Sequence, residues 1–197
     1  MTITTFATLK TAVADFLNRE DLTAIIPTFI ALAEAAHRRE IRDHRMITRG
    51  SITVDGQFEA LPADWLETIR ITIDSDPMRE LQQASLGEIA QRRGDDTAGV
   101  PQMFAHVGTD IEVWPTPSES YTASITYYAK PTALAADGST NWLLTAAPDV
   151  YLYGALIHSA PYLKDDARVA VWAGLYQQSL QSLAAESNRA RFGSPLK

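Results

Sequence analysis

His37, Glu40 and His44 fall at i, i+3 and i+7 along one helical face. Imidazole and carboxylate are metal-ligand types, yet a metal needs ligands converging from more than one direction. A di-metal bundle centre needs a Glu-x-x-His repeated on a second helix. Neither 150–163 nor 169–186 offers one, so no metal and no cofactor is expected. The triplet reads instead as a solvated helix face, laced with ion pairs to Arg38, Arg42 and Asp43. His158, on a mainly apolar helix, reads as a core or interface histidine, and His106 has no Ser or Asp placed beside it by any motif. There is no Gly-x-Ser-x-Gly elbow, no His-Glu-x-x-His and no Walker loop. Gly94-Asp-Asp-Thr-Ala-Gly99 lacks the Lys and the following helix that a phosphate cradle needs.

Two further chemistries remain in view. A glycoside hydrolase acting on cell wall would need a Glu acid and a second carboxylate about 5–9.5 Å apart across a groove, and Glu34, Glu40, Glu67 and Glu112 are the residues to test. The basic cluster Arg38, Arg39, Arg42, Arg45 and Arg49 leans toward nucleic acid, but Glu34, Glu40 and Asp43 are interleaved with it. It reads as a solvated face, a subunit contact or a surface for DNA phosphate. A sequence-specific DNA regulator is disfavoured, because no helix-turn-helix pattern accompanies the cluster.

The 197 residues that must position these groups make one domain, with room for a sub-domain insertion. Composition is that of a globular protein, 46% hydrophobic and 21% charged. A net charge of −7 argues against wrapping DNA over the whole surface. The absence of cysteine removes disulfides, thiolate metal sites and thiol catalysis together. No apolar run approaches the ~18 residues of a membrane span, and the first ten residues lack the plan of a secretory signal. The chain is therefore expected to be made in the cytosol.

Hydrophobic spacing predicts an α+β fold: a bundle of two N-terminal and two C-terminal helices, an inserted antiparallel β sub-domain and a flexible C-terminal tail. Phe6, Leu9, Val13, Phe16 and Leu17 mark the first helix, with Thr4 or Thr5 as its cap. Pro27 suits the first turn of the second, whose buried face is Phe29, Ile30, Ala33, Ala36 and Ile41. The small residues Ala31, Ala33, Ala35 and Ala36 would let a neighbouring helix come close. Strands are predicted at 47–54, 58–61, 65–73 (Leu66, Ile69, Ile71 and Ile73 apolar), 102–107, 110–114 and 121–130. Asp55-Gly56 reads as a type I′ hairpin turn and Gly108-Thr109 as a second hairpin loop. Met78 to Gln83 continues the sheet weakly, and Ser85 caps a short helix.

A linker, 131–140, leads to helices over 148–160 and from Val169 onward, with Pro161 kinking or ending the first and Asp165 or Asp166 capping the second. Gly154 and Gly174 each cost helix propensity, which close helix contact would offset. The single domain is 1–187, with 1–45 and 145–187 helical and 46–130 the β insertion. From Asn188 the chain is basic and aperiodic, a tail of 188–197.

Several segments resemble the head-to-tail adaptor (connector) proteins of tailed bacteriophages and related phage-like particles. They are Phe6-Ala-Thr-Leu-Lys-Thr-Ala-Val-Ala-Asp-Phe-Leu-Asn-Arg19, Ile26-Pro-Thr-Phe-Ile-Ala-Leu-Ala-Glu34, Ala60-Leu-Pro-Ala-Asp-Trp-Leu-Glu67, Gly99-Val-Pro101, Ile125-Thr-Tyr-Tyr-Ala-Lys-Pro131, Asn141-Trp-Leu-Leu-Thr145, Pro148-Asp-Val-Tyr-Leu-Tyr153 and Pro161-Tyr-Leu-Lys-Asp-Asp166. Order and spacing carry the likeness over nearly the whole chain. The resemblance implies a non-enzymatic virion protein, usually a dodecameric ring docked on the portal protein at the head-tail junction, active in genome packaging and tail assembly. It implies a helical ring wall lining the DNA channel in transient contact with passing DNA, and a β part facing a tail or stopper protein. The portal-binding tail would then carry Arg189, Arg191, Phe192, Pro195, Leu196 and Lys197, and Arg38, Arg39, Arg42 and Arg45 would face the channel or a neighbouring subunit.

Overall fold

Helix α1 (Phe6–Leu17) begins at a reciprocal cap: the Thr5 hydroxyl accepts from the Thr8 N–H at 3.3 Å, and the Thr8 hydroxyl accepts from the Thr5 N–H at 2.9 Å. It stops at Asn18, whose left-handed backbone (φ 54°) turns its N–H onto the carbonyls of Ala14 and Asp15. The computed structural model describes residues 2–95, 97–163 and 168–193. Helix α2 (Ile26–Glu40) takes Pro27 into its first turn, as its missing donor allows. The chain divides into two compact units, one made of Met1–Arg45 with Pro131–Lys197 and the other of Met46–Lys130.

The first unit is completed late in the sequence. The segment 131–140 is pinned: the carbonyls of Ser139 and Asp137 accept from the N–H groups of Phe6 and Ala7 at 2.9 and 3.0 Å, satisfying donors that the start of α1 leaves over. Lys10 adds an ion pair to Asp137 at 2.6 Å. Asn141 then caps a short helix (Trp142–Ala146), absent from the spacing analysis, which precedes the longer Pro148–Leu163. In order, the helices from 142 are α4 (Trp142–Ala146), α5 (Pro148–Leu163) and α6 (Val169–Phe192), with α3 (Leu86–Arg92) in the other unit.

Helix α5 packs against α1, α2 and α6, and burial of Val150, Tyr151, Leu152, Gly154, Ala155, Leu156 and Ser159 leaves it little solvent-facing side. At Gly154 it leaves no room for a side chain. A methyl group there would lie 3.2 Å from both Ala33 Cβ and His37 Nε2 and 3.4 Å from the Tyr176 ring. Close contact thus accounts for Gly154 but not for Gly174, where among the described residues nothing lies within 4 Å of an added methyl group.

Two expectations for this unit are corrected. Of the two effects expected of Pro161, a kink or an end, the end does not occur: α5 runs on to Leu163. The ring removes the donor to the Ile157 carbonyl and crowds that carbonyl, and Tyr162 packs edge-on against Phe29 at 5.8 Å. Helix α6 continues past Asn188 to Phe192, because Arg189, Ala190 and Arg191 are good helix formers, and it closes with the Gly193 N–H donating to the Arg189 carbonyl at 2.9 Å. The expected caps Asp165 and Asp166 lie outside the described residues.

The second unit holds two four-stranded sheets. One has the order β1 (Ile47–Val54), β8 (Tyr121–Ala129), β3 (Trp65–Ile73), β4 (Arg79–Glu80). The other runs β2 (Phe58–Ala60), β7 (Asp110–Trp114), β6 (Met103–Val107), β5 (Gln82–Gln83). Ile52, Val54, Ile71, Ile73, Ala123 and Ile125 from the first share one apolar cluster with Phe104, Ile111 and Val113 from the second. The Gly108-Thr109 hairpin forms as expected, with Gly108 at φ 63°. The Asp55-Gly56 hairpin does not: β1 pairs with β8 and β2 with β7, so this turn carries the chain between sheets. The Glu59 carboxylate holds it, accepting from the N–H groups of both Asp55 and Gly56. Ile69, expected inside, is 43% exposed. A register shift between Thr68 and Arg70 reverses the alternation ahead of Ile71.

The two helix glycines separate experimentally. Gly154→Val is expected to lower the unfolding free energy by about 2–3 kcal/mol through overpacking. Gly174→Ala should raise it by up to ~1 kcal/mol. Urea titration followed by tryptophan fluorescence reads both, and similar effects at the two positions would refute the close α2–α5 approach.

Candidate functional site

The basic residues of α2 and of the chain that follows it divide by position. Arg42 donates to the carbonyls of Arg38 and Ile41 at 3.0 and 2.8 Å, satisfying acceptors at the helix end. Arg45 braces the chain beyond it, with its Nε 3.0 Å and its backbone N 2.9 Å from Asp43 Oδ1. Its outer nitrogen reaches Glu186 at 2.8 Å, and the guanidinium lies 5.5 Å over the Trp142 ring. Asp43 is 1% exposed, so this pairing is part of the fold. The His44 N–H donates to Ser187 Oγ at 2.8 Å, tying the same end to α6. A cleft of about 250 Å³ lies here, lined by Ile41, Asp43, Leu180, Leu183 and Ala184 among others. Arg38 approaches Glu34 at 3.9 Å with its side chain 42% exposed, and Arg39 is exposed. Arg38 and Arg39 are thus the outward pair, while Arg49 lies on β1 in the other unit.

The solvated-face reading of His37, Glu40 and His44 is overturned at His37, which is 2% exposed. Helix α2 ends at Glu40, so His44 sits in a separate turn. The His37 ring stacks near Tyr176 (centroids 6.1 Å apart) and meets Tyr151 edge-on at 4.9 Å. Neither ring nitrogen has a hydrogen-bond partner of good geometry. Burial pushes its pKa down to about 4, His158 adds to the fall, and the Val150 backbone opposes it. The sequence did hold a signal: Ile26, Ile30, Ala33 and His37 recur at i, i+4, i+7 and i+11, the stripe that α2 buries. Among the described residues, no three His, Asp or Glu groups are grouped to hold a metal.

The glutamates are spread among structural tasks. Glu34, 8% exposed, accepts through Oε1 from the Leu134 N–H at 3.0 Å and the Tyr151 hydroxyl at 3.2 Å. Asn141 extends the network, its amide donating to the Tyr151 oxygen and the Thr132 carbonyl, both at 2.7 Å. Burial raises the Tyr151 pKa, so the phenol stays protonated and can donate. Glu40 accepts from the Tyr176 hydroxyl at 3.1 Å. Glu112 pairs with Arg93 at 2.8 Å and accepts from Gln57 at 2.9 Å, whereas Glu67 is exposed on β3. Glu34 and Glu40 belong to one unit, Glu67 and Glu112 to the other.

His106, in β6, lies between the rings of Trp65 and Phe104 at 5.0 and 5.4 Å, and burial lowers its pKa. At the C-terminal end, Arg189, Arg191 and Phe192 ride on the last turn of α6. Arg191 lies 5.3 Å over the Phe192 ring, and Phe192 is 78% exposed. Pro195, Leu196 and Lys197 lie outside the described residues. No described helix is long and apolar enough to cross a membrane.

Two measurements test this interior. The unfolded chain protonates His37 near 6.5 and the folded one only near 4, so the unfolded state binds more protons between those values and stability falls as pH drops through them. The loss attributable to His37 is about 3 kcal/mol by pH 4 and levels off just below it. His37→Leu should flatten that slope, leaving a weaker one from His106 and His158, whose pKa values burial also lowers; an unchanged slope counts against the burial of His37. Tyr151→Phe, which deprives Glu34 and Asn141 of a partner, should cost about 1–3 kcal/mol at pH 7.

Comparison with known proteins adds what geometry alone does not. None of the curated proteins matches the chain. The family model described as SU10 adaptor protein matches residues 4–197. The chain therefore belongs to the SU10 adaptor protein family, a structural family of phage head-to-tail adaptors.

Proposed function

We propose that this protein forms a ring, of about twelve copies by family resemblance, that joins the portal protein to the tail and lines the path of the DNA. The observation that carries this reading is the family match over nearly the whole chain. The physics is compatible with it. A chain of net charge −7 suits a passage through which DNA slides rather than one that grips it. Within the basic cluster, Arg42 and Arg45 are engaged in the fold, so Arg38 and Arg39 are assigned the outward role, toward passing DNA or a neighbouring subunit. The exposed turn with Arg189, Arg191 and Phe192 is assigned, with Pro195, Leu196 and Lys197, to the portal: an exposed apolar ring capped by the Arg191 guanidinium fits an apolar recess with an acidic rim. The β unit is assigned to the next tail or stopper component. The protein would then reside in the virion at the head-tail junction, after synthesis in the bacterial cytoplasm.

Light scattering of the purified protein, followed by sedimentation with portal-bearing heads, tests the reading. Binding in a fixed multiple per head is expected, and no binding at any concentration would sink it. Deleting Arg189 to Lys197 should leave the thermal midpoint nearly unchanged and abolish co-sedimentation. Undiminished binding by the truncated protein would remove the terminal turn from the portal contact.

A further inference from the structure

Strand β1 is a long open edge. Of the four edge strands in the β unit, β2, β4 and β5 are two or three residues long, whereas β1 runs for eight. Short edges, prolines and lysines are among the devices that keep a sheet from pairing with a foreign strand. Strand β1 has length, no proline and no lysine, and its one charge is Arg49.

The ladder fixes which of its backbone groups are free. On the far side of β8 the Asp74 N–H donates to the Thr122 carbonyl at 2.9 Å, so the even-numbered residues of β8 turn their polar groups toward β3. The odd-numbered residues of β8 therefore serve β1, where they face Thr48, Gly50, Ile52 and Val54. That leaves the N–H and C=O groups of Ile47, Arg49, Ser51 and Thr53 directed away from the sheet. Among the described residues no other segment bonds to them, and Arg49, Ser51 and Thr53 are exposed. A row of backbone donors and acceptors along ~20 Å fits one kind of ligand, another extended strand.

The side chains select the strand. From Arg49 to Asp55 the sequence reads Arg-Gly-Ser-Ile-Thr-Val-Asp. Laid antiparallel on a second copy about Ile52, Arg49 falls opposite Asp55 and Ser51 opposite Thr53 on the solvent face. On the core face Gly50 falls opposite Val54, and Ile52 meets Ile52. Opposite charges and hydroxyl pairs are favourable cross-strand neighbours. This register also sets outward residues against outward residues, as an antiparallel ladder requires. Sliding the copies by two residues would set Arg49 against Thr53 and Asp55 against Ile47, and the complementarity is lost. Among the described residues neither Arg49 nor Asp55 has an ion pair within its own chain.

We propose that β1 of one copy pairs antiparallel with β1 of a second about a two-fold axis at Ile52, with Arg49 bonded to Asp55 at both ends. The two four-stranded sheets then become one that runs through both copies. The contact is isologous, so it makes a pair and stops. It is a property of the free chain and does not rest on the ring reading. A seam about 24 Å long and ~10 Å wide lies well below the roughly 800 Å² per partner of a standard interface, so the pair dissociates on dilution.

Sedimentation velocity over a dilution series should show dimer giving way to monomer. Arg49→Asp and Asp55→Arg each set like charges at both ends and should weaken pairing by about tenfold or more. Mixing these two variants sets opposite charges at both ends again and should restore the dimer. Ser51→Pro removes an outward N–H without removing a bond to β8, so it should abolish the pair, while Ser51→Ala keeps it. Thermal midpoints near that of the parent establish that the variants are folded. A dimer that survives Ser51→Pro, or a mixture that stays monomeric, overturns the proposal, as does a parent chain that is monomeric at every concentration. Larger species indifferent to all these substitutions reject the β1 contact and leave the ring reading standing. A β1-dependent dimer that ignores portal-bearing heads supports the pair and rejects the ring reading.

Discussion

The helical unit depends on the close approach of α2 and α5 at Gly154. With Ala33 and His37 on one side and no side chain on the other, the helices come near enough for α5 to be covered by α1, α2 and α6 at once. That closeness imposes conditions on everything nearby. His37 is held neutral at pH 7, because burial pushes its pKa down to about 4. Tyr151 must find an acceptor for its hydroxyl and finds Glu34, which in turn holds the backbone of Leu134. A polar network is tolerated in this interior because its principal members have partners of good geometry.

The same economy shapes the outer surface. Many of the polar groups that might have suggested a reaction are committed to the fold: Asp43 and Arg45 fasten the end of α2, Glu34 fastens the segment leading to α4, and Glu112 on β7 holds Arg93. Among the groups that the helical unit leaves outward are a pair of arginines on α2 and a basic aromatic turn at the end of α6. Those are groups suited to contact other macromolecules. Family membership, not fold alone, makes that inference specific, since a helical unit with a β insertion could host many activities.

Legibility in the sequence followed the range of the interactions. The caps at Thr5 and Ser85 and the alternation of Tyr121, Ala123, Ile125 and Tyr127 are set by neighbours within a few residues, and they could be read directly. Asp55-Gly56 announced a turn correctly but could not say which sheet would receive the next strand, because β7 lies far along the chain. Ile69 was misplaced because a one-residue shift against β8 leaves no local trace in a run of alternating apolar residues. His37 was misread by grouping it with Glu40 and His44 on polarity; grouped with Ile26, Ile30 and Ala33, it belongs to the buried stripe. For the candidate surfaces the spacing gave little, since the residues that would complete them are on other chains, and order of motifs along the sequence carried the identification instead.

The helical unit draws on both ends of the chain, while the β unit is one uninterrupted stretch, Met46–Lys130. During synthesis the two therefore mature at different times. The β unit has all its strands as soon as Lys130 clears the ribosome. Helices α1 and α2 emerge first but must wait, with Leu9, Val13, Ile30 and Ala33 uncovered, until α5 follows. The N-terminus of α1 likewise lacks the Asp137 and Ser139 carbonyls until then. Synthesis of α5 is thus what completes α1 and α2, which are made before it, and until then their apolar faces need shielding.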